Sequence, residues 1–239
     1  MTDFSDKTTV IFDLDGLLID SEPFWNMTHE AFFKKYHLTD SPEIRELKHG
    51  AGVKDNIQLF QERLGLKGNV DELAREYRDL FYSFAFEEHN LTLMPGAKHL
   101  LHCLLKNNFL LAIATGGHTE KRIQEVLKRL GIDLYFPTHI SSDMVKKGKP
   151  DPAVYLRTSE VLRVDPGECV VLEDSVNGTK AGKVAGMTVI GVNSDKEYQN
   201  QLLKAGADLV TERLDDLIPV ISGGCCGGNC EKDEIPKNK

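Results

Sequence analysis

Val10-Ile11-Phe12-Asp13-Leu14-Asp15-Gly16-Leu17-Leu18-Ile19-Asp20-Ser21 opens as an apolar run rich in β-branched and aromatic residues, which reads as a buried strand. The run ends on two acids, Asp13 and Asp15, with Gly16 directly after them. A central parallel strand is apolar throughout, so two carboxylates at its carboxyl end cost desolvation unless something positive meets them. Carboxyl ends of strands are also where α/β sheets place their ligands. The competing reading is an exposed Asp-x-Asp-Gly turn, since Asp and Gly are common turn formers. The remainder of the chain decides between the two.

From Ser21 to about Asn90 the pattern is almost wholly helical. Ser21-Glu22-Pro23 looks like a helix start, with a capping Ser and a Pro in the first turn. Phe24, Met27, Ala31 and Phe32 recur at helical spacing, as do Leu73, Tyr77, Leu80, Phe81 and Phe84, a stripe that reads as core packing. Beyond Thr92-Leu93-Met94-Pro95-Gly96 the chain alternates. Helices at 97–107, 119–130, 152–162 and about 178–185 each lead to an apolar strand, at 110–114, 139–141, 169–172 and 188–192. Strands alternating with helices imply right-handed crossovers and a parallel sheet covered on both faces. The fold class expected is therefore α/β: a Rossmann-like, doubly wound parallel core, interrupted after its first strand by an all-helical cap. Residues 1–20 and 91–222 make the core, 21–90 the cap, and 223–239 a Gly/Cys-rich tail outside the fold.

With 239 residues, 41% hydrophobic and 28% charged, the chain has enough interior for a proper core. A net charge of -8 with no basic face argues against nucleic-acid binding. No apolar run approaches the roughly 20 residues of a membrane span, and Met1–Asp6 lacks the features of a signal peptide. A cytoplasmic location and no membrane partner are expected by default. Cys103 and Cys169 read as small buried hydrophobes. Cys225, Cys226 and Cys230 in the tail could bind a soft metal, but structural zinc wants four ligands and no His lies nearby. An inactive fold serving as a thiol metal-binding adaptor is the non-enzymatic alternative.

Three further polar sites fall at strand ends. Thr115, followed by Gly116 and Gly117, closes 110–114. Lys149 lies in Lys146-Lys147-Gly148-Lys149-Pro150-Asp151-Pro152 after the third strand. Glu173-Asp174-Ser175 follow 169–172. Neighbouring strand ends converge on one crevice, which gathers Asp13, Asp15, Glu173 and Asp174 beside Thr115 and Lys149. Clustered carboxylates call for a hard cation, and oxygen donors suit Mg²⁺. Lys149 and the Thr115 hydroxyl then suit a dianionic phosphoryl group, with backbone N–H groups after Gly16 and Gly116 as further donors. One Asp can attack phosphorus, and the other can serve as general acid and base. Each site has a plainer reading. Thr115 can cap a helix, Lys149 can be a solvated loop lysine, and Pro150-Asp151-Pro152 and Glu173-Asp174-Ser175 can open helices. All four in order at strand ends is much harder to obtain by chance.

Those four motifs resemble the haloacid dehalogenase-like phosphohydrolases, in the subgroup with a helical cap after the first motif; the resemblance spans roughly residues 8–220. It implies Asp13 as nucleophile and Asp15 as general acid/base, with Thr115, Gly116 and Lys149 on the phosphoryl oxygens. It further implies Mg²⁺ held by Asp13, the Asp15 carbonyl and Asp174, with Glu173 a ligand or a partner of one. The segments Asp13–Pro23 and Glu173–Gly178 are similar to those of 2-deoxyglucose-6-phosphate and hexitol phosphatases. A phosphatase of a small phosphorylated sugar or polyol, acting as a monomer through an aspartyl-phosphate, is therefore expected. The alternatives are a β-phosphoglucomutase-like mutase and a pseudouridine-5'-phosphatase-like enzyme. The Ser-Arg pair of the mutase pattern is not found in Leu47–Asp55. His49 and Lys54 there are candidates for substrate selection against a reading as solvated residues. His118, in Gly116-Gly117-His118, stands either near the substrate or as a cap of the next helix.

Overall fold

The architecture is seen in a computed structural model over residues 6–87 and 91–221. The opening apolar run forms β1 (Thr9–Phe12), fully buried along its length. Four helices follow: α1 (Glu22–Lys35), α2 (Pro42–Lys48), α3 (Val53–Leu64) and α4 (Val70–Glu87). The chain then alternates through α5 (Ala97–Lys106), β2 (Leu110–Thr115), α6 (Glu120–Leu130), β3 (Thr138–Ser141), α7 (Ala153–Leu162) and β4 (Cys169–Glu173). It closes with α8 (Val176–Val184), β5 (Thr188–Val192), α9 (Lys196–Ala205), β6 (Leu209–Thr211) and α10 (Ile218–Ile221).

The six strands form one parallel sheet in the order β3-β2-β1-β4-β5-β6. The chain winds outward from β1 in one direction, then returns to add β4 on its other side. That reversal leaves a crevice above the carboxyl ends of β1, β2 and β4. Alternation along β1 serves both faces. Val10 and Phe12 pack with α5 and α6 through Leu100, Leu104 and Ile123, while Ile11 packs with α7 and α8 through Val154 and Ala181. A third apolar cluster, built on Phe32, Phe60 and Tyr77, lies within α1–α4. Each fully buried aromatic there contributes about 1.5–3 kcal/mol by leaving water, so the helices carry an apolar core of their own.

Helices and strands fall close to where the periodicity puts them, with local corrections. Ser21 sits at the N-cap of α1 without a capping side-chain bond. Met27 is 46% exposed and is not part of the buried stripe. Helix α8 begins two residues earlier than expected because the Ser175 hydroxyl accepts the Gly178 N–H at 3.0 Å, an N-cap bond. Beyond β5 the periodicity marks no element, yet α9 and β6 form there; β6 is three half-buried residues at the sheet edge, too short to leave an apolar run. Cys103 and Cys169 are buried and outside any disulfide. Cys225, Cys226, Cys230 and the rest of the tail lie outside the described residues. Among the described residues no helix is long and apolar enough to cross a membrane.

Candidate active site

Every strand bordering the crevice delivers a polar residue at the point where its apolar run stops. Asp13 follows β1, Thr115 closes β2, Glu173 closes β4 and Asp174 is next to it. Lys149 arrives on the loop between β3 and α7. Its ammonium, 2% exposed as a residue, reaches Asp13 Oδ1 at 2.5 Å, Glu173 Oε1 at 2.6 Å and the Ala114 carbonyl at 3.0 Å. Burial alone would push Lys149 toward neutrality, but the charges of Asp13 and Glu173 overwhelm it and hold the lysine well above its ordinary range.

Glu173 and Asp174 are chain neighbours with opposite fates, because adjacent residues at a strand end point to opposite sides. Glu173 turns inward, fully buried. Its Oε1 accepts Lys149 and, at 2.7 Å, the Tyr155 hydroxyl, while its Oε2 accepts the Ser175 N–H and hydroxyl at 3.0 and 2.8 Å. Gly178 leaves room for this nest, since a Cβ there would fall on the Glu173 carboxyl. Of the two roles expected for Glu173, metal ligand or partner of one, its contacts here are those of a partner: Oε1 takes Lys149 and Tyr155, and Oε2 takes Ser175. Asp174 turns toward the cleft and lies against Gly16, whose φ of +77° and missing side chain allow the contact; a Cβ there would come within 2.3 Å of Asp174 Oδ2.

Asp13 and Asp174 both hold their protons abnormally tightly. Burial, opposed by Lys149 and reinforced by the charges of Glu173 and Asp15, raises Asp13 to about 7. Burial, then Glu173 and Asp13, raises Asp174 well above the carboxylate range. Asp13 shares the single charge of Lys149 with Glu173, and Asp174 stands beside both carboxylates; this excess of negative charge fits a cation held by carboxylates and a main-chain carbonyl. Among the described residues no three His, Cys, Asp or Glu side chains converge as a ready-made cluster, so such a cation would draw on Asp13, Asp174 and the backbone at Asp15.

Asp15 is held differently. Trp25 Nε1 donates to its Oδ1 at 2.7 Å, His118 Nε2 lies 3.1 Å from the same oxygen, and the Thr115 hydroxyl donates to Oδ2 at 3.4 Å. Burial would raise Asp15, but His118 and the bonds from Trp25 outweigh it and keep the carboxyl below its ordinary value.

Asp13, Asp15, Thr115 and Asp174 floor a cleft of about 770 Å³ whose roof comes from α1 and the α2–α3 segment, with Lys149 and Glu173 buried behind them. Gly116 lines it, and its carbonyl accepts the N–H of Val53 at the start of α3 at 3.2 Å. His49 hangs from the roof. Its Nδ1 is 2.7 Å from the Tyr198 hydroxyl, and its Nε2 is 3.8 Å from Asp174 Oδ2. Asn177 donates to the main-chain oxygens of Leu47 and His49 at 3.2 and 2.8 Å. Two expected residues fall elsewhere. Lys54 pairs with Asp71 at 2.7 Å and borders a separate hollow of about 240 Å³, where the turn into α3 carries it away from the cleft. His118 neither borders the cleft nor caps α6, whose N-cap is Thr119. It is fully buried beneath Asp15.

Trp25, Tyr155, Asn177 and Tyr198 are the site neighbours that sequence reasoning missed. Trp25 is the chain's single tryptophan, sitting beside the helical stripe, and that rarity was the available signal. The others meet their partners only through tertiary contacts.

Residues 10–192 match the sequence profile described as haloacid dehalogenase-like hydrolase. A phosphorylated carbohydrates phosphatase of Thermotoga maritima is 31% identical over 83% of this chain and 91% of its own. Hexitol phosphatase A of Escherichia coli is 33% identical over 87% and 91%. The crystal structure of CbbY from Rhodobacter sphaeroides in complex with phosphate superposes with a TM-score of 0.73 at 26% identity, covering 88% of this chain and 96% of that one. The chain belongs to the haloacid dehalogenase-like hydrolases and is a phosphoric monoester hydrolase of the helical-cap subgroup.

Proposed function

We propose that this enzyme is a Mg²⁺-dependent phosphatase of a small sugar or polyol phosphate and works through a phosphoryl group carried on Asp13. The observation that carries the reading is the pairing of Asp13 with the buried Lys149 at the floor of the cleft, 2.5 Å apart. A carboxylate that is buried, oriented and beside a fixed cation is poised to attack an electrophile that brings its own negative charge.

An Asp13 carboxylate oxygen attacks phosphorus while the ester oxygen leaves and takes a proton from Asp15. Water then gives a proton to Asp15 as its oxygen attacks the same phosphorus, the bond to Asp13 breaks, and inorganic phosphate departs. Asp15 binds its proton weakly in the resting site, and the approach of a dianionic phosphoryl group raises its proton affinity. Lys149, the Thr115 hydroxyl and backbone N–H groups near Gly116 hold the phosphoryl oxygens as charge builds on them. Asp13, Asp174 and the Asp15 carbonyl would hold Mg²⁺, which when bound neutralises the carboxylates and the phosphoryl charge.

The rest of the substrate fills the cleft, where Asn26, Asn56 and Gln201 offer amides that suit hydroxyl groups. The phosphatases of phosphorylated carbohydrates and hexitols among the relatives support that class. A panel of phosphorylated metabolites with a phosphate-release readout tests the reading. Steady Mg²⁺-dependent release from hexose or hexitol phosphates is expected. Isomerised sugar phosphate with little free phosphate, when a bisphosphate primer is supplied, would replace it with a mutase.

A further inference from the structure

We infer that His118 is a positioning residue that aims the proton-transfer carboxylate, with Tyr82 setting which of its ring nitrogens carries hydrogen. The inference rests on the proposed role of Asp15. Gly117 brings His118 under Asp15 from the end of β2, and the ring is completely buried. Both ring nitrogens are engaged. Nδ1 is 2.6 Å from the Tyr82 hydroxyl, and Nε2 is 3.1 Å from Asp15 Oδ1. Asp15 offers only acceptor oxygens to Nε2, which places a ring hydrogen there, pointing at Asp15, and leaves Nδ1 to accept the hydrogen of the Tyr82 hydroxyl. Trp25 Nε1 donates to the same oxygen at 2.7 Å. Two N–H groups therefore fix Oδ1. Oδ2 takes the long 3.4 Å bond from Thr115; it is the less tightly held oxygen and the one placed to exchange a proton over the cleft. Ring packing reinforces the aim: His118 lies between Trp25, Phe81 and Tyr82 at centroid distances of 5.8, 5.3 and 5.7 Å. Trp25 and Tyr82 come from α1 and α4, and His118 from the sheet side. Asp15 is thus aimed by contacts from both sides of the cleft.

A residue that acts through the general acid matters most when the leaving oxygen is basic and least when it is not. Phenyl phosphate and p-nitrophenyl phosphate have nearly the same shape and differ in this respect. The value of kcat/KM reports the step in which the ester bond breaks. His118→Ala is expected to lower kcat/KM for phenyl phosphate by roughly 100-fold and for p-nitrophenyl phosphate by less than about 5-fold, within the span of general acid catalysis. His118→Gln, which returns an N–H near the same place, should restore much of the loss. Tyr82→Phe, a milder change that keeps the ring packing, should show the same selectivity at about 5-fold. Equal losses for both esters in His118→Ala and Tyr82→Phe, or no loss in either, would overturn the inference. Absence of hydrolysis of both esters by the unaltered enzyme would instead overturn the phosphatase reading beneath it.

Discussion

The floor and the roof of the cleft are built on opposite principles. Behind the lining of the floor, Lys149 and Glu173 are almost completely withdrawn from water, and Glu173 accepts four hydrogen bonds. On the roof, the His49 side chain is 45% exposed, and the segment around it is tied to the core by Asn177 and Tyr198. Electrostatic catalysis gains from fixed, dehydrated charge. A roof that admits and releases a ligand needs contacts that can be given up. On the proposed function, the chemistry belongs to the strand ends and selection to the α1–α3 side, a division that can be broken at either level.

The largest effects belong to the floor. Asp13→Asn removes the attacking oxygen while keeping size and shape, so kcat should fall by roughly 10⁴-fold or more. Near-normal phosphate release by this variant would end the covalent reading. Chelation should bring activity to background, with recovery on adding Mg²⁺. Mg²⁺ should also raise the melting temperature, because an ion that binds only the folded state stabilises it by mass action. Asp174→Asn should abolish that rise; an unchanged rise would place the ion elsewhere.

Lys149→Met comes next and tests whether the floor is a structural unit as well as a chemical one. It leaves Asp13 and Glu173 buried without their cation, a change that typically costs about 3–5 kcal/mol. For a chain of this size that is a fall of roughly 10 °C in melting temperature, together with a loss of activity on the order of 10³-fold from the missing contact to the phosphoryl group. Denaturation and phosphate release measured on one preparation check both. Full stability in this variant would mean that Glu173 and Asp13 find other partners.

The same contrast explains what could be read before any coordinates. On the floor, an apolar strand must stop somewhere, and the residue at which it stops is visible in the chain: Asp13, Thr115 and Asp174 were legible for that reason. Helical periodicity likewise exposed α1 and α4, because one face must be apolar to pack. The alternation that separates Glu173 from Asp174 was available in principle, yet only the positions of Lys149 and Tyr155 reveal where Glu173 spends its oxygens. His118 was beyond reach, since its partner Asp15 is 103 residues away and nothing local distinguishes it from a helix cap. Lys54 misled because a turn of helix decides which side of α3 a residue faces, and a short loop does not fix that turn.

The smallest expected effect lies on the roof. Asn177→Ala removes two side-chain donors to the carbonyls of Leu47 and His49 and touches none of the floor groups. Hydrogen bonds of this kind contribute about 1 kcal/mol each, less where water can replace them. KM for the preferred substrate should therefore rise by about 3- to 10-fold, with kcat within a factor of about two and the melting temperature nearly unchanged. If instead kcat fell with KM constant, the roof would be helping to set the geometry of the reacting groups. The division between a rigid chemical floor and a selective, releasable roof would then give way to a single coupled unit.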